Sequence, residues 1–190
     1  MIQSDEILNT VDMIQKEKLD VRAVTMGISL LDCHRASVEQ TCEAIKDKIQ
    51  RYAGNLVNTC ESISAEYAIP VVNKRIAVTP IAHVGAGFDA AGFVQIARAL
   101  DEAAGAVGID ILGGFSADVA NGLNIGDVEL IKSIPEALTV TKKVCSSINV
   151  GSTRYGINMD AIVTLGHTIK DLAENTADQG GGQADPNAGK

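Results

Sequence analysis

The residues able to do chemistry gather in a few short stretches of the chain. Asp32-Cys33-His34-Arg35 is the densest of them. A thiol beside a helix start and an arginine ionises more readily than a free cysteine, so Cys33 is a candidate nucleophile. His34 adjoins it in sequence, but neighbouring side chains diverge, so a Cys–His pair must recruit His83 or another loop. Asp32, Cys33 and His83 are therefore the candidate catalytic groups, as acid, nucleophile or base. A thiol simply packed at a strand end is the alternative for Cys33.

A second stretch, Gly151-Ser152-Thr153-Arg154, combines backbone amides, two hydroxyls and a cation ahead of a capped helix. Such a set binds a carboxylate or phosphate. With Ser147 and Asn149 just upstream, Gly151, Ser152, Thr153 and Arg154 form the candidate substrate-binding group. No Gly-Lys-Ser/Thr follows at Walker spacing. Gly85-Ala-Gly-Phe-Asp-Ala90 matches a relaxed dinucleotide fingerprint, yet the expected acid is missing from the end of the next strand, since Asp110 opens it and Asp118 lies beyond. The glycines there read better as a tight turn with close helix packing. Asn73-Lys74-Arg75 precedes its strand, which places it at the opposite end, in a structural or interface role. His167 falls beside the last helix's apolar stripe.

The elements that must position these residues alternate between strand and helix. Ser4 caps a first helix with Ile7, Leu8, Val11 and Ile14 on one stripe. Val21–Ser29 is apolar on both faces and β-branched, the pattern of a buried parallel strand. Ser37 and Gln40 form a capping box, and Val38, Cys42, Ile45, Ile49, Tyr52, Leu56, Cys60 and Ile63 continue one helix to Ile69-Pro70. That spacing puts Cys42 and Cys60 on its buried face. Strands follow at 74–81, 109–115 and 145–150, with helices at 89–104 and at 128–144, the latter interrupted at Pro135. Asn158 caps a last helix with Ile162, Leu165, Ile169 and Leu172 on one side. Alternation of this kind implies parallel strands joined by right-handed crossovers. Residues 1–178 form an α/β domain, and 179–190, rich in Gly, form a flexible tail. In such folds the strand-to-helix loops share one face, where ligands bind, and the candidate residues fall in those loops.

Composition narrows the partners. The 190 residues carry a formal net charge of −8, with 3% aromatics and no Trp. Scarce aromatic rings oppose base-stacking platforms. Excess acid opposes a sequence-independent grip on nucleic acid or anionic lipid. The polar, acidic N-terminus lacks the pattern of a secretory signal, and no apolar run approaches the roughly 20 residues of a membrane span. Cys33, Cys42, Cys60 and Cys145 have no zinc-ligand spacing and read as free thiols of a cytoplasmic protein.

Several long motifs resemble one family. Thr25-Met-Gly-Ile-Ser-Leu-Leu-Asp-Cys33, Asn73-Lys-Arg-Ile-Ala-Val-Thr-Pro-Ile81 and Gly113-Gly-Phe-Ser-Ala117 look like uncharacterised protein family 0210. It is also called domain of unknown function 711, or the pyruvate-formate-lyase-like family. Val144-Cys-Ser-Ser-Ile-Asn-Val-Gly-Ser-Thr-Arg-Tyr-Gly-Ile-Asn-Met159 is the most distinctive segment. The resemblance runs to about Asp178 and implies a barrel-type α/β fold related to glycyl radical enzymes, here incomplete, and a homodimer. It implies no settled activity, and the cofactor is unknown. Full-length members are more than twice this length. Radical chemistry is not carried over, because the C-terminal glycine motif is absent and Cys33 or Cys145 matches its cysteine only by residue type.

These readings favour a fragment of a small-molecule enzyme acting on a carboxylate- or phosphate-bearing metabolite. The alternatives are a non-catalytic metabolite sensor and a truncated chain without independent function.

Overall fold

The computed structural model describes residues 20–177 together with Leu8, Asn9, Val11, Asp12 and Lys16. Leu8, Asn9, Val11 and Asp12 are helical, as the N-terminal periodicity predicts; Ser4, Ile7, Ile14 and the 179–190 tail lie outside the described residues.

The strands are β1 (Val21–Ile28), β2 (Val71–Val78), β3 (Ile111–Asp118) and β4 (Val144–Asn149). Between and after them run α1 (Val38–Ala53), α2 (Leu56–Tyr67), the short α3 (Ile81–Val84), α4 (Ala90–Val107), α5 (Ile125–Val140) and α6 (Met159–Thr176). A two-stranded hairpin, β5 (Gly151–Ser152) and β6 (Gly156–Ile157), joins β4 to α6.

The sheet order is β1-β2-β3-β4 and every neighbouring pair is parallel. With right-handed crossovers, a sheet wound in sequence order carries all its helices on one face. Burial follows that rule. Ile28, Ile76, Val78, Leu112, Phe115, Ala117 and Val144 are buried, whereas Gly27, Ala77, Cys145, Ser147 and Asn149 on the alternate positions are exposed. The core thus fills the space between one sheet face and a helix layer in which α1 packs on α4, α4 on α5, and α5 on α6. Among the described residues the other face is open, and β1 and β4 are the edge strands of the sheet.

Five expectations need correction. The long helix from Ser37 is two helices, turned at Gly54-Asn55. A Cβ at Gly54 would lie 2.7 Å from the Gln50 carbonyl oxygen, so the chain turns tightly there. In the second helix Leu56 and Cys60 stay buried while Ile63 faces solvent; in the first, Tyr52 is exposed and Cys42 only half-buried. Secondly, α5 runs through Pro135 and starts earlier, at an Asn124–Asp127 capping box. Its buried Leu130, Ile131, Ile134 and Ala137 hold both sides of the proline in place. Thirdly, β2 begins at Val71, paired with Val21, so Asn73-Lys74-Arg75 lies within the strand and not at its far end.

Fourthly, β3 extends to Asp118, which is its last residue and not beyond it. A bulge lengthens the strand: Gly113 pairs with Cys145 but Phe115 pairs with Ser146. The extra residue, Gly114, has φ +121°, and a Cβ there would lie 2.5 Å from the Val78 carbonyl oxygen, so only glycine fits. Fifthly, α6 packs through Ala161, Leu165, Thr168 and Leu172, leaving Ile162 and Ile169 exposed.

Candidate functional site at the carboxyl edge of the sheet

The β1 exit is tied to the β2 exit, since the Leu30 amide donates to Thr79 Oγ1 (3.1 Å). A 3-10 turn, Leu31–Cys33, follows. Cys33 points into the core, and its thiol donates to the Ala44 carbonyl of α1 (3.6 Å). Burial pushes this thiol up, Asp32 adds to the effect, and Lys48 and Arg35 pull against it without prevailing. The expected easing of ionisation is therefore reversed: the helix and the arginine are near, but desolvation outweighs them.

Asp32 is exposed and pairs with Lys48 of α1, whose ammonium holds the carboxyl below its usual range. Together with Cys33, Arg35, Arg51 and Tyr52 they line a groove of about 310 Å³ on the outer side of α1. Arg35 Nη1 donates to the carbonyls of Asp32 (2.7 Å) and His34 (2.8 Å), which fixes the loop. His34 docks the loop on the neighbouring turn, with Nδ1 2.9 Å from the Val84 carbonyl and its ring 5.4 Å from that of Phe88. His83, next to that carbonyl, is exposed. The structure thus joins the two loops through His34, while Cys33 faces Ala44 and Asp32 faces Lys48.

The Gly85–Ala90 stretch is a turn in which close packing accounts for the glycines. A Cβ at Gly85 would lie 2.5 Å from the Phe93 ring, and Gly87 has φ +99°. Asp89 caps α4 by accepting from the Gly92 amide (2.9 Å), and Glu129 accepts from the Ala90 amide (3.1 Å). Those amides already have acidic partners.

At the β3 and β4 exits, Asp118 and Asn149 stand side by side. Asn149 Nδ2 donates to Asp118 Oδ1 (3.2 Å), which also accepts from the Ala120 amide (3.1 Å). Beyond them the Gly151–Arg154 segment is a hairpin rather than a helix-start cradle. Gly151 pairs with Ile157 and Ser152 with Gly156. The Tyr155 amide donates to Ser152 Oγ (3.1 Å), and the Arg154 guanidinium lies 5.3 Å from the Tyr155 ring centre. The start of α6 is capped separately by Asn158, which accepts from the Ala161 amide (3.1 Å). Ser152, Thr153 and Arg154 are all exposed. Their hydroxyls and cation remain available, but the helix amides do not join them.

The open sheet face adds residues that sequence reasoning missed. Arg75 and Cys145 lie on it, with Ser116, Ser147, Asp118 and Asn149 nearer the carboxyl edge. Cys145 is exposed, yet partial desolvation pushes its thiol up, and the Arg75 guanidinium opposes this. The signal for Arg75 was the alternation in Val71–Val78, where Ile76 and Val78 face the core and Arg75 and Ala77 therefore do not. For Asp118 no sequence signal existed, because the bulge at Gly114 decides its face.

A parallel sheet wound in sequence order, helices on one face, polar groups gathered at the strand carboxyl ends, defines a singly wound α/β protein. The chain belongs to the uncharacterised ACR family DUF711, whose profile matches residues 12–185. It is 53% identical over 180 residues to a UPF0210 protein of Ruminiclostridium cellulolyticum and 54% identical over 181 residues to one of Acetivibrio thermocellus. A third UPF0210 protein, from Desulforamulus reducens, is 51% identical over 181 residues. Each match covers 95% of this chain and 40% of the relative, so the chain spans about two fifths of the length of these curated relatives. Among the described residues, no helix is long and apolar enough to cross a membrane.

Proposed function

We propose that the chain is the N-terminal portion of a cytoplasmic α/β protein that binds a small carboxylate- or phosphate-bearing metabolite at the carboxyl edge of its sheet. The observation that carries this reading is the Asp118–Asn149 pair at the rim, with Ser147 behind it and the Ser152–Arg154 hairpin beyond. Ser147, Asn149, Ser152, Thr153 and Arg154 contact the anion, and Gly151 shapes the hairpin. His83 is the candidate proton-handling group at the neighbouring exit, Asp32 is held ionised by Lys48, and Cys33 serves packing. Further strand–helix units, supplied by the rest of the relatives' length, close the sheet toward a barrel, and the protein works as a homodimer. Four unpaired cysteines accord with a reducing compartment.

Calorimetric titration of the chain with inorganic phosphate and with acetate tests the reading. Saturable binding that weakens in both Asn149→Ala and Arg154→Ala supports it. Binding that neither substitution changes, or no binding of either anion, refutes it.

A second reading, a shortened chain without independent function, draws on the two-fifths coverage and the exposed Ile162, Val163 and Ile169 of α6. A cooperative melt and a saturable ligand would exclude it.

A further inference from the structure

The open face of the sheet is organised in rows across the strands. Arg75 of β2 stands level with Thr25 of β1 and Ile111 of β3. The next row toward the carboxyl edge is Gly27, Ala77, Gly113 and Cys145. A Cβ at Gly27 or at Gly113 would meet nothing within 4 Å, so the floor of this row is open. Ser116 and Ser147 pair in the row beyond it, and Asp118 and Asn149 form the rim.

Arg75 is unusual among the cations of this protein. Its Nε is buried and makes no hydrogen bond, and among the described residues its guanidinium enters no ion pair. A buried charged donor without a partner is destabilising unless something accepts from it. A guanidinium offers Nε and Nη as a fork that fits two oxygens of a carboxylate or phosphate. Across the sheet, the low row of Gly27, Ala77 and Gly113 leaves room for the body of a small molecule, and the Ser116 and Ser147 hydroxyls stand at its far side.

We propose that Arg75 anchors the oxyanion of a small carboxylate or phosphate ligand, which lies over Gly27, Ala77 and Gly113 with Cys145 beside it and reaches Ser116 and Ser147. The proposal rests on the metabolite-binding reading above and moves its principal cation from the hairpin to the middle of the sheet. The ligand then lies along the face that the strands share, and Arg154 contributes only at the rim. Cys145 becomes a reporter: it is the exposed cysteine, and it borders the bound molecule.

The test uses the 190-residue chain, with inorganic phosphate and acetate as separate probes. Two readouts are followed in parallel: the Arg75 Nε–H resonance and the rate of Cys145 alkylation by iodoacetamide. Saturable movement of that resonance, with at least a severalfold slowing of alkylation at the same midpoint, is expected from one or both anions. Arg75→Met should abolish protection, and Arg75→Lys should keep it with about tenfold weaker affinity, since the charge persists without the fork. Unchanged melting of Arg75→Lys separates loss of binding from loss of fold. If Arg75→Met binds as tightly as the parent while Asn149→Ala does not, the anchor lies at the rim and this proposal fails alone. If neither anion moves the resonance or protects Cys145, the proposal fails, and the reading beneath it fails with it when calorimetry also finds no binding of either anion.

Discussion

Asn149 and Asp118 are register partners at the last positions of β4 and β3, and the amide of one donates to the carboxylate of the other at 3.2 Å. Asp118 Oδ1 is shared with the Ala120 amide, so the carboxylate is fixed from two sides. The pair consequently holds the Asn149 amide in one orientation. Replacing Asn149 by Asp sets two carboxylates opposite each other. The expected loss is about 0.5–1 kcal/mol near neutral pH, relieved when the carboxyls are protonated in acid. Urea midpoints at neutral pH and at pH about 3 check this; an equal loss at both would show that charge is not its cause.

The Asp32–Lys48 pair gives stability a defined pH window. Asp32 is held below the usual carboxylate range, first by its hydrogen bond to Lys48, so its contribution is present above the ordinary carboxyl value and lost as pH falls through the depressed one. Lys48 is raised, first by the same hydrogen bond, so its contribution is present below the ordinary lysine value and lost as pH rises through the raised one. Lys48→Met should lower the melting temperature slightly between those limits and not at either extreme. Asp32 is exposed and Lys48 partly so, and added salt should therefore shrink the difference.

The cysteines should separate by reactivity. Cys33 and Cys60 are buried and Cys145 is exposed. Iodoacetamide at neutral pH should label Cys145 first in the folded chain, and Cys33 only on unfolding, because burial both shields that thiol and pushes it up. Cys33→Ala should cost about 1–2 kcal/mol of stability through the small cavity it leaves, without weakening anion binding. Mass spectrometry of labelled peptides and a binding titration decide it; rapid Cys33 labelling would return that thiol to the list of reactive groups.

The bulge at Gly114 sets the chemistry of the open face. One extra residue between Gly113 and Phe115 restores Phe115 to the core and turns Ser116 and Asp118 to the face shared with Ser147 and Asn149. Gly114→Ala meets the Val78 carbonyl oxygen and occupies a φ that disfavours a side chain, so a loss of about 2–4 kcal/mol is expected. Anion binding should fall with it, because Ser116 and Asp118 depend on that register. An alanine variant with parental stability would mean that the strand can reach the same register without the bulge.

What the sequence discloses follows from what periodicity encodes. The strand–helix alternation, the Ser37 and Asn158 caps and the parallel pairing were legible, because each rests on local pattern. The break at Gly54-Asn55 was hidden by an apolar stripe that continues across it. Likewise, Arg75 was misplaced because two basic residues and an asparagine masked a strand already begun at Val71. Cys33 misled for another reason: spacing reports a nearby arginine and helix start, but only packing reports that the thiol faces Ala44. The Asp118–Asn149 pair needs a bulge and a register, and neither is a property of any short stretch.

The two sides of α6 make the last prediction. Leu165 is half-buried against the core, whereas Ile169 is 65% exposed and Ile162 and Val163 are exposed beside it. In the helix layer α4 lies between α1 and α5, and α5 between α4 and α6. The apolar side of α6 therefore sits where a further helix would continue the layer, and β4 is an edge strand of the sheet, open to pairing with a further strand. If that surface is unsatisfied in the 190-residue chain, Leu165→Ala should cost about 1–2 kcal/mol, while Ile169→Ala stays within about 0.5 kcal/mol. Ile162→Lys with Ile169→Lys should raise solubility and reduce self-association without lowering the melting temperature, because an exposed apolar patch drives association rather than folding. Sedimentation and thermal melts of these variants check both halves; a cooperative loss of fold in the double-lysine variant would instead place that side of α6 in a contact that the chain already makes.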